Sequence, residues 1–314
     1  MVKVEHLTKK YNNFTAVDDL NFSIKENGIV GLLGPNGAGK STTMRMLTGY
    51  LAPTSGSITV FGKDLRDNPI EARKNIGYLP EIPPLYTDLT VKEHLGFVCD
   101  LRDIPSEKKS AEIENVCREL NISDVSGRLI NHLSKGYRQR VGFAAALIGS
   151  PKFLILDEPT VGLDPTQIRE IRSLISGLSD RMSILISSHI LSEISSVCDS
   201  LLIINRGRLL AKGSKEEIER SLKQSNTVEL LVKGSRGTLL EAVKSAVPGG
   251  SVELADAGNG CWRCTVSCPS SRDYRQELFT AMADRKSSLS MLSMQSVDKS
   301  LEDIFFEVTG TGKE

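Results

Sequence analysis

The sequence has little cysteine, no surplus of either charge and no long apolar run, and each shortage removes a class of protein. Its six cysteines stand apart at 99, 117, 198, 261, 264 and 268, so only Cys261 and Cys264 make a C-x-x-C. In CWRCTVSC, strand alternation puts Trp262, Cys264, Val266 and Cys268 on one side and Cys261 on the other. A metal or redox pair needs both sulfurs to converge, so a structural reading outweighs a functional one here. Lysine plus arginine equal aspartate plus glutamate at 39 each, which denies the chain the basic field of most nucleic-acid binders. No stretch approaches the about 18 consecutive apolar residues that cross a bilayer. The opening MVKVEHLTKKY lacks the apolar core of a secretory signal. A cytoplasmic location is expected, with any membrane association supplied by a partner.

What is present describes an ordinary globular protein, 39% hydrophobic and 25% charged. At 314 residues it exceeds the roughly 250–300 at which a single core stops growing, so two domains are expected. VKVEHL, AVDDLNFSI, GIVGLLG and SITVFG read as strands, and KSTTMRMLTGYL as a helix closing near Gly49. Residues 87–150 read as mainly helical, beginning at the capping box Thr90-Val-Lys-Glu93. Then come a buried strand in FLIL, a helix after Pro165, a strand in SILIS and a hairpin in SLLIINRGRLLA. Such alternation predicts a largely parallel sheet covered by helices. A second capping box, Ser214-Lys-Glu-Glu217, opens a helix before the composition shifts at KQSN. The boundary is expected at 222/223. Residues 223–314 then read as a small α+β domain, ferredoxin-like in element order and ending in a helix.

Two stretches point to anions. Residues 34–42, GPNGAGKST, match G-x-x-x-x-G-K-[ST] through Gly34, Gly39, Lys40 and Ser41. The motif follows an apolar strand and opens a helix, the context in which backbone N–H groups and a helix dipole cradle phosphates. Lys40 is placed to bridge the outer phosphates and Ser41 to ligate magnesium. A hundred residues later, HLSKGYRQRV offers a second helix start at Ser134, with Tyr137, Val141, Ala144, Ala145 and Ile148 at helical steps behind it. Its exposed N–H groups suit another anion. In FLILDE, the strand end presents Asp157 for a hydrated magnesium, and Glu158 beside the terminal phosphate to accept a proton from attacking water.

These motifs stand in one order that resembles the ATP-binding cassette (ABC) ATPases over residues 1 to about 222. GPNGAGKST, LSKGY, LILDEP, GLDP around Asp164 and SSHI with His189 all match. The resemblance implies a P-loop ABC ATPase domain with a RecA-like core, an antiparallel β subdomain and a helical subdomain at about 87–150. It implies ATP held by Gly34, Pro35, Asn36, Gly37, Ala38, Gly39, Lys40, Ser41 and Thr42, and Mg2+ held by Ser41, Asp157 and Glu81. Tyr11 matches the adenine-stacking aromatic, although alone it reads more readily as a strand-end packing residue. His189 matches the γ-phosphate switch, although alone it reads as a core histidine. In this family two cassettes pack head to tail, so Ser134 and Gly136 are expected to serve a partner's ATP, and Asp164 of the D-loop-like GLDP is expected among the nucleotide-binding residues. That would explain the second anion site, and a homodimer is expected.

Two positions depart from the usual pattern. LSGGQ stands as LSKGY, with Lys135 and Tyr137 substituted, and glutamate occupies the Q-loop position at Glu81. With the tail LEDIFFEVTG at 301–310, these departures resemble the drug-resistance-type ATPases that pair with ABC-2-type permeases, most of all the gliding-motility-associated branch. The implied role is energising an exporter through an integral membrane permease docked on the region Glu81–His94, the chain lying peripherally on the inner face of the membrane. The alternative is a non-transport ABC ATPase acting on DNA or ribosomes. Such proteins usually fuse two cassettes or insert a coiled coil, zinc module or basic arm, none of which is present, and no nucleic-acid partner is expected. A small-molecule kinase fails because LSKGY and SSHI would have no task. The second domain is expected to regulate or to support dimerisation.

Overall fold

The structure, a computed structural model, describes residues 1–222, 227–268 and 272–297. Strands β1 (Val2–Tyr11), β2 (Phe14–Ile24), β4 (Ser55–Val60) and β5 (Lys63–Asp64) form an antiparallel sheet in the order β2-β1-β4-β5. Between β2 and β4 run β3 (Gly28–Leu33) and α1 (Lys40–Leu47). The helix α2 (Pro69–Lys74) leads to β6 (Ile76–Leu79), and a helical region follows with α3 (Val91–Leu101), α4 (Ser106–Glu119) and α5 (Lys135–Leu147). The chain continues through β7 (Phe153–Asp157), α6 (Pro165–Leu178), β8 (Ser183–Ser188), α7 (Leu191–Ile194), β9 (Ser200–Asn205) and β10 (Arg208–Gly213).

The second sheet has the order β10-β9-β3-β8-β7-β6. Every pair is parallel except the edge hairpin β9–β10, as the strand–helix alternation predicted. All five residues of β7 and all six of β8 are buried, which is why they read as unbroken apolar runs rather than alternating ones. One core joins the two sheets and α1, with Met44 and Leu47 of the helix sharing it with Val2, Leu20, Ile155 and Leu185. That packing anchors the loop before α1 from both sides. The helix α1 ends as expected, with Gly49 at φ 68 supplying the left-handed closing residue. At α3 the capping box is realised: the Glu93 carboxylate accepts the Thr90 N–H at 2.8 Å while Thr90 Oγ1 accepts the Glu93 N–H at 3.2 Å.

A compact division falls at Lys215/Glu216, seven residues before the expected boundary, at the start of α8 (Lys215–Leu222). The second unit runs β11 (Thr227–Gly234), α9 (Arg236–Ala246), β12 (Ser251–Gly258), β13 (Cys261–Ser267), α10 (Arg275–Ala283) and β14 (Leu289–Val297). Its antiparallel sheet has the order β12-β13-β11-β14, the ferredoxin-like arrangement of a β-α-β-β-α-β chain. Val228, Leu230 and Val232 face Leu239, Val243, Leu278 and Met282 in its core. Cys264 and Cys268 join that core, Cys261 is half-buried, and all six cysteines are free. The closing LEDIFFEVTG and the final helix expected there lie outside the described residues.

Candidate active site

The buried strand β3 delivers the chain to a loop that only small residues can make. Gly37 and Gly39 have φ of 79° and 106°, and a Cβ on Gly39 would sit 2.7 Å from the Ala16 carbonyl oxygen. Pro35 is half-buried and Asn36 exposed, Ala38 packs inward, and Thr42 is half-buried at the start of α1. Lys40 opens α1 and is only 6% exposed. Its ammonium donates to the carbonyl oxygens of Gly34 at 2.8 Å and Pro35 at 3.3 Å. The first turn of α1 carries no acidic residue, so its N-terminal dipole faces the loop unneutralised.

The carboxylates come from the end of β7. Asp157 pairs in register with Ser187 of β8, and the Ser187 hydroxyl donates to Asp157 Oδ1 at 2.6 Å. The same hydroxyl accepts the Glu158 N–H at 2.9 Å. Sequence reading missed Ser187, although its place at the close of SILISS, one strand over from Asp157, was the available signal. Ser41 Oγ lies 3.4 Å from Asp157 Oδ1, so a hydroxyl and a carboxylate oxygen stand side by side. Glu158 adopts φ 48°, a conformation uncommon for a non-glycine residue, which the Ser187 contact helps to hold. The residue is 8% exposed, and its carboxylate bridges the site, with Lys40 Nζ at 3.5 Å from Oε1 and His189 Nδ1 at 3.0 Å from Oε2. Lys40, Ser41, Asp157, Glu158 and His189 therefore meet around one point.

Ser134, Gly136 and Asp164 belong elsewhere. They line a cavity of about 640 Å³ that shares no residue with the loop of Gly34–Thr42 or with Asp157, Glu158 and His189. Ser134 is the N-cap of α5, its hydroxyl accepting the Tyr137 N–H at 3.3 Å. Asp164 caps α6 by accepting the N–H groups of Thr166 and Gln167, each at 2.9 Å. Two helix N-termini thus open on one cavity. Lys135 lays its ammonium against the α-carbon of Gly162 in the segment before Asp164.

Tyr11 closes β1 and is 45% exposed, with Lys9 Nζ 5.3 Å from its ring centroid, so the ring face is partly available to a planar ligand. Glu81 is exposed in the segment after β6. Neither β6 nor α2 was read from the sequence, because IGYL is only four residues long and α2 six. Beside this segment lies a groove of about 890 Å³ walled by Tyr50, Tyr86, His94, Phe97, Leu101 and Arg102. Tyr86 meets Phe97 edge-on with centroids 5.3 Å apart. Tyr78 lines the same groove, and burial, then the charge of Asp157, push its hydroxyl up to about 12.

A glycine cradle with a buried lysine binds phosphates, and a carboxylate held over it accepts a proton. The Ser41–Asp157 oxygen pair suits magnesium, which takes few protein ligands and completes its shell with phosphate oxygens and water. Comparison with known proteins agrees. The family model described as ABC transporter matches residues 17–161. The bacitracin transport ATP-binding protein BcrA of Bacillus licheniformis is 40% identical over 242 residues, 74% of this chain and 78% of that protein. The ABC transporter ATP-binding protein YhaQ of Bacillus subtilis (strain 168) is 32% identical and matches 99% of both chains, so the likeness extends through the second unit. A solved ATP-binding subunit of an ABC transporter superposes with a TM-score of 0.65 at 32% identity, covering 70% of this chain and 92% of that one. On these grounds the chain belongs to the ATP-binding subunits of ABC transporters.

Proposed function

We propose that this chain is the ATP-hydrolysing subunit of an ABC-2-type exporter of the drug-resistance type, close to the gliding-motility-associated branch, and that it works as a homodimer. The observation that carries the dimer is the separation of two anion-binding half-sites on one chain. The glycine cradle has a lysine and a catalytic carboxylate, while the cavity at Ser134, Gly136 and Asp164 has N-terminal N–H groups and no part in that cluster. Two copies packed head to tail complete both sites, each sealing the other's triphosphate.

In the structure Lys40 donates to main-chain carbonyls and faces Glu158. A triphosphate draws that ammonium onto its outer phosphates and frees the Glu158 carboxylate to take a proton from the attacking water. His189, on the other carboxylate oxygen, orients the base, and it is the residue assigned to contact the terminal phosphate. Magnesium, when bound, offsets phosphate charge, and Ser41, Asp157 and the exposed Glu81 are the residues to hold it. Tyr11 offers its ring to the adenine.

The groove beside Glu81 supports docking of a short helix from an integral membrane permease. Tyr50, Tyr86 and Leu101 on its walls are more than half exposed, and a cluster of large exposed side chains marks an interaction site. No helix among the described residues is long and apolar enough to cross a membrane, so such a permease would hold the chain at the inner face. The second unit is assigned a regulatory or dimer-supporting role. Truncation after residue 222 that left ATPase rate and dimerisation unchanged would end that assignment.

The deciding experiment is sedimentation of the full chain carrying Glu158→Gln. It is expected to be monomeric alone and dimeric in saturating Mg-ATP. A monomer under both conditions, with and without its co-purifying permease, would overturn the proposal.

A further inference from the structure

Gly136 is the second residue of α5 and is buried, and nothing about its backbone requires glycine there, since it lies within a regular helix. Glycine is a poorer helix former than alanine, so its presence needs another cause. The cause is space. A Cβ on Gly136 would stand 2.8 Å from Cδ and Nε2 of Gln167 and 2.9 Å from its Oε1. The three carboxamide atoms lie flat over the bare α-carbon, in the slot that a methyl group would fill.

Gln167 is the third residue of α6, and its own N–H is held by the Asp164 carboxylate at 2.9 Å. A glutamine at this position commonly folds back on its own helix start. Here it reaches across to α5 instead. Further along the two helices Arg140 pairs with Glu170, one turn beyond Gly136 and Gln167 respectively, while Gln139 Nε2 donates at 3.1 Å to the carbonyl of Pro159 in the segment before α6. The two helices are tied at two successive turns, and both ties line the shared cavity, the Gly136–Gln167 contact at the helix starts.

We propose that Gln167 is a positioning residue: its carboxamide, seated on Gly136, fixes the first turn of α5 against Asp164 so that Ser134 and Gly136 present their N–H groups to the partner's triphosphate. Gln167 lies in none of the recognised motifs. It acts through Gly136, and among the described residues no contact joins it to the chain's own cradle. This role rests on the head-to-tail dimer proposed above.

The test compares the full Glu158→Gln chain with the same chain carrying Gln167→Ala, Gly136→Ala or both. In Mg-ATP, Gln167→Ala is expected to weaken the dimer about tenfold, the scale on which small misplacements of positioned groups act. Binding of a fluorescent ATP analogue to the monomer stays within about twofold, and the nucleotide-free unfolding midpoint is unchanged. Gly136→Ala also weakens the dimer, and the double variant loses less than the two single losses combined, because the new methyl enters the slot vacated by the carboxamide. Should the alanine variant fold poorly, Gln167→Met keeps the length without the carboxamide and is read in the same way. A Gln167→Ala dimer as tight as the parent overturns the role. So does a parallel fall in dimer affinity, monomer nucleotide binding and unfolding midpoint, which marks a merely structural contact. If the parent itself fails to dimerise, it is the proposed function that falls, and this role falls with it.

Discussion

Replacing Glu158 by glutamine separates what its carboxylate does for chemistry from what it does for the resting site. The side chain keeps its shape, so the contact with His189 at 3.0 Å can persist as a neutral hydrogen bond. Proton acceptance is lost, which costs about 10²–10⁴ in rate, or roughly 2.7–5.4 kcal/mol of transition-state stabilisation. The ion pair with Lys40 is lost as well. At 3.5 Å its gross attraction is about 5 kcal/mol for an effective dielectric near 20, of which desolvation offsets most. Lys40 retains the carbonyls of Gly34 and Pro35, so the variant falls short of the roughly 3–5 kcal/mol cost of a stranded buried charge. The nucleotide-free variant should therefore unfold at a slightly lower temperature. In ATP, where Lys40 sits on phosphates, its midpoint should rejoin the parent's. Phosphate release and thermal unfolding, each with and without Mg-ATP, check the two halves. A variant that binds ATP normally and releases phosphate within about tenfold of the parent refutes the role of Glu158 as base.

Three further outcomes follow from other parts of the chain. Burial pushes the Cys264 thiol up to about 11 and the Cys198 thiol up to about 12, so native Ellman titration near pH 8 should find one fast thiol, abolished by Cys261→Ser; a chelator-dependent count would instead reveal a metal pair. His94 has its imidazole held below its ordinary 6.5 by burial, and its Nδ1 finds no partner among the described residues. A lowered folded value means the unfolded chain takes the proton first, so this contribution is full above pH 6.5 and fades as pH falls through it. The stability gap between parent and His94→Gln should narrow from pH 7.5 to pH 5 in denaturant titrations, and a constant gap would contradict a neutral buried imidazole. Phe97→Asp places a charge on the groove's aromatic wall and should abolish co-purification with the permease while fluorescent ATP binding persists; retention of the permease would move the docking site elsewhere.

The sequence is most legible where local chemistry is its own constraint. GPNGAGKST can form little but a phosphate loop, because Gly37 and Gly39 occupy left-handed conformations and Lys40 follows them into a helix. The parallel sheet was legible because β7 and β8 are buried on both faces and therefore continuously apolar. The capping box at Thr90 and the two faces of CWRCTVSC were likewise local matters of helix ends and strand alternation. Strand β6 and helix α2 escaped because four or six residues carry too little periodicity to be distinguished from a loop.

By itself, then, the sequence determined which groups can bind phosphate, which strand ends carry carboxylates and which helices start with a hydroxyl, since each depends on neighbours a few residues away. Only the tertiary structure decided that Ser187 bridges Asp157 and Glu158, that Glu158 rests between Lys40 and His189, and that Gln167 fills the place of a missing methyl on Gly136. Those contacts join residues about 30 to 118 positions apart, and their existence depends on strand order and helix approach, which no local pattern encodes.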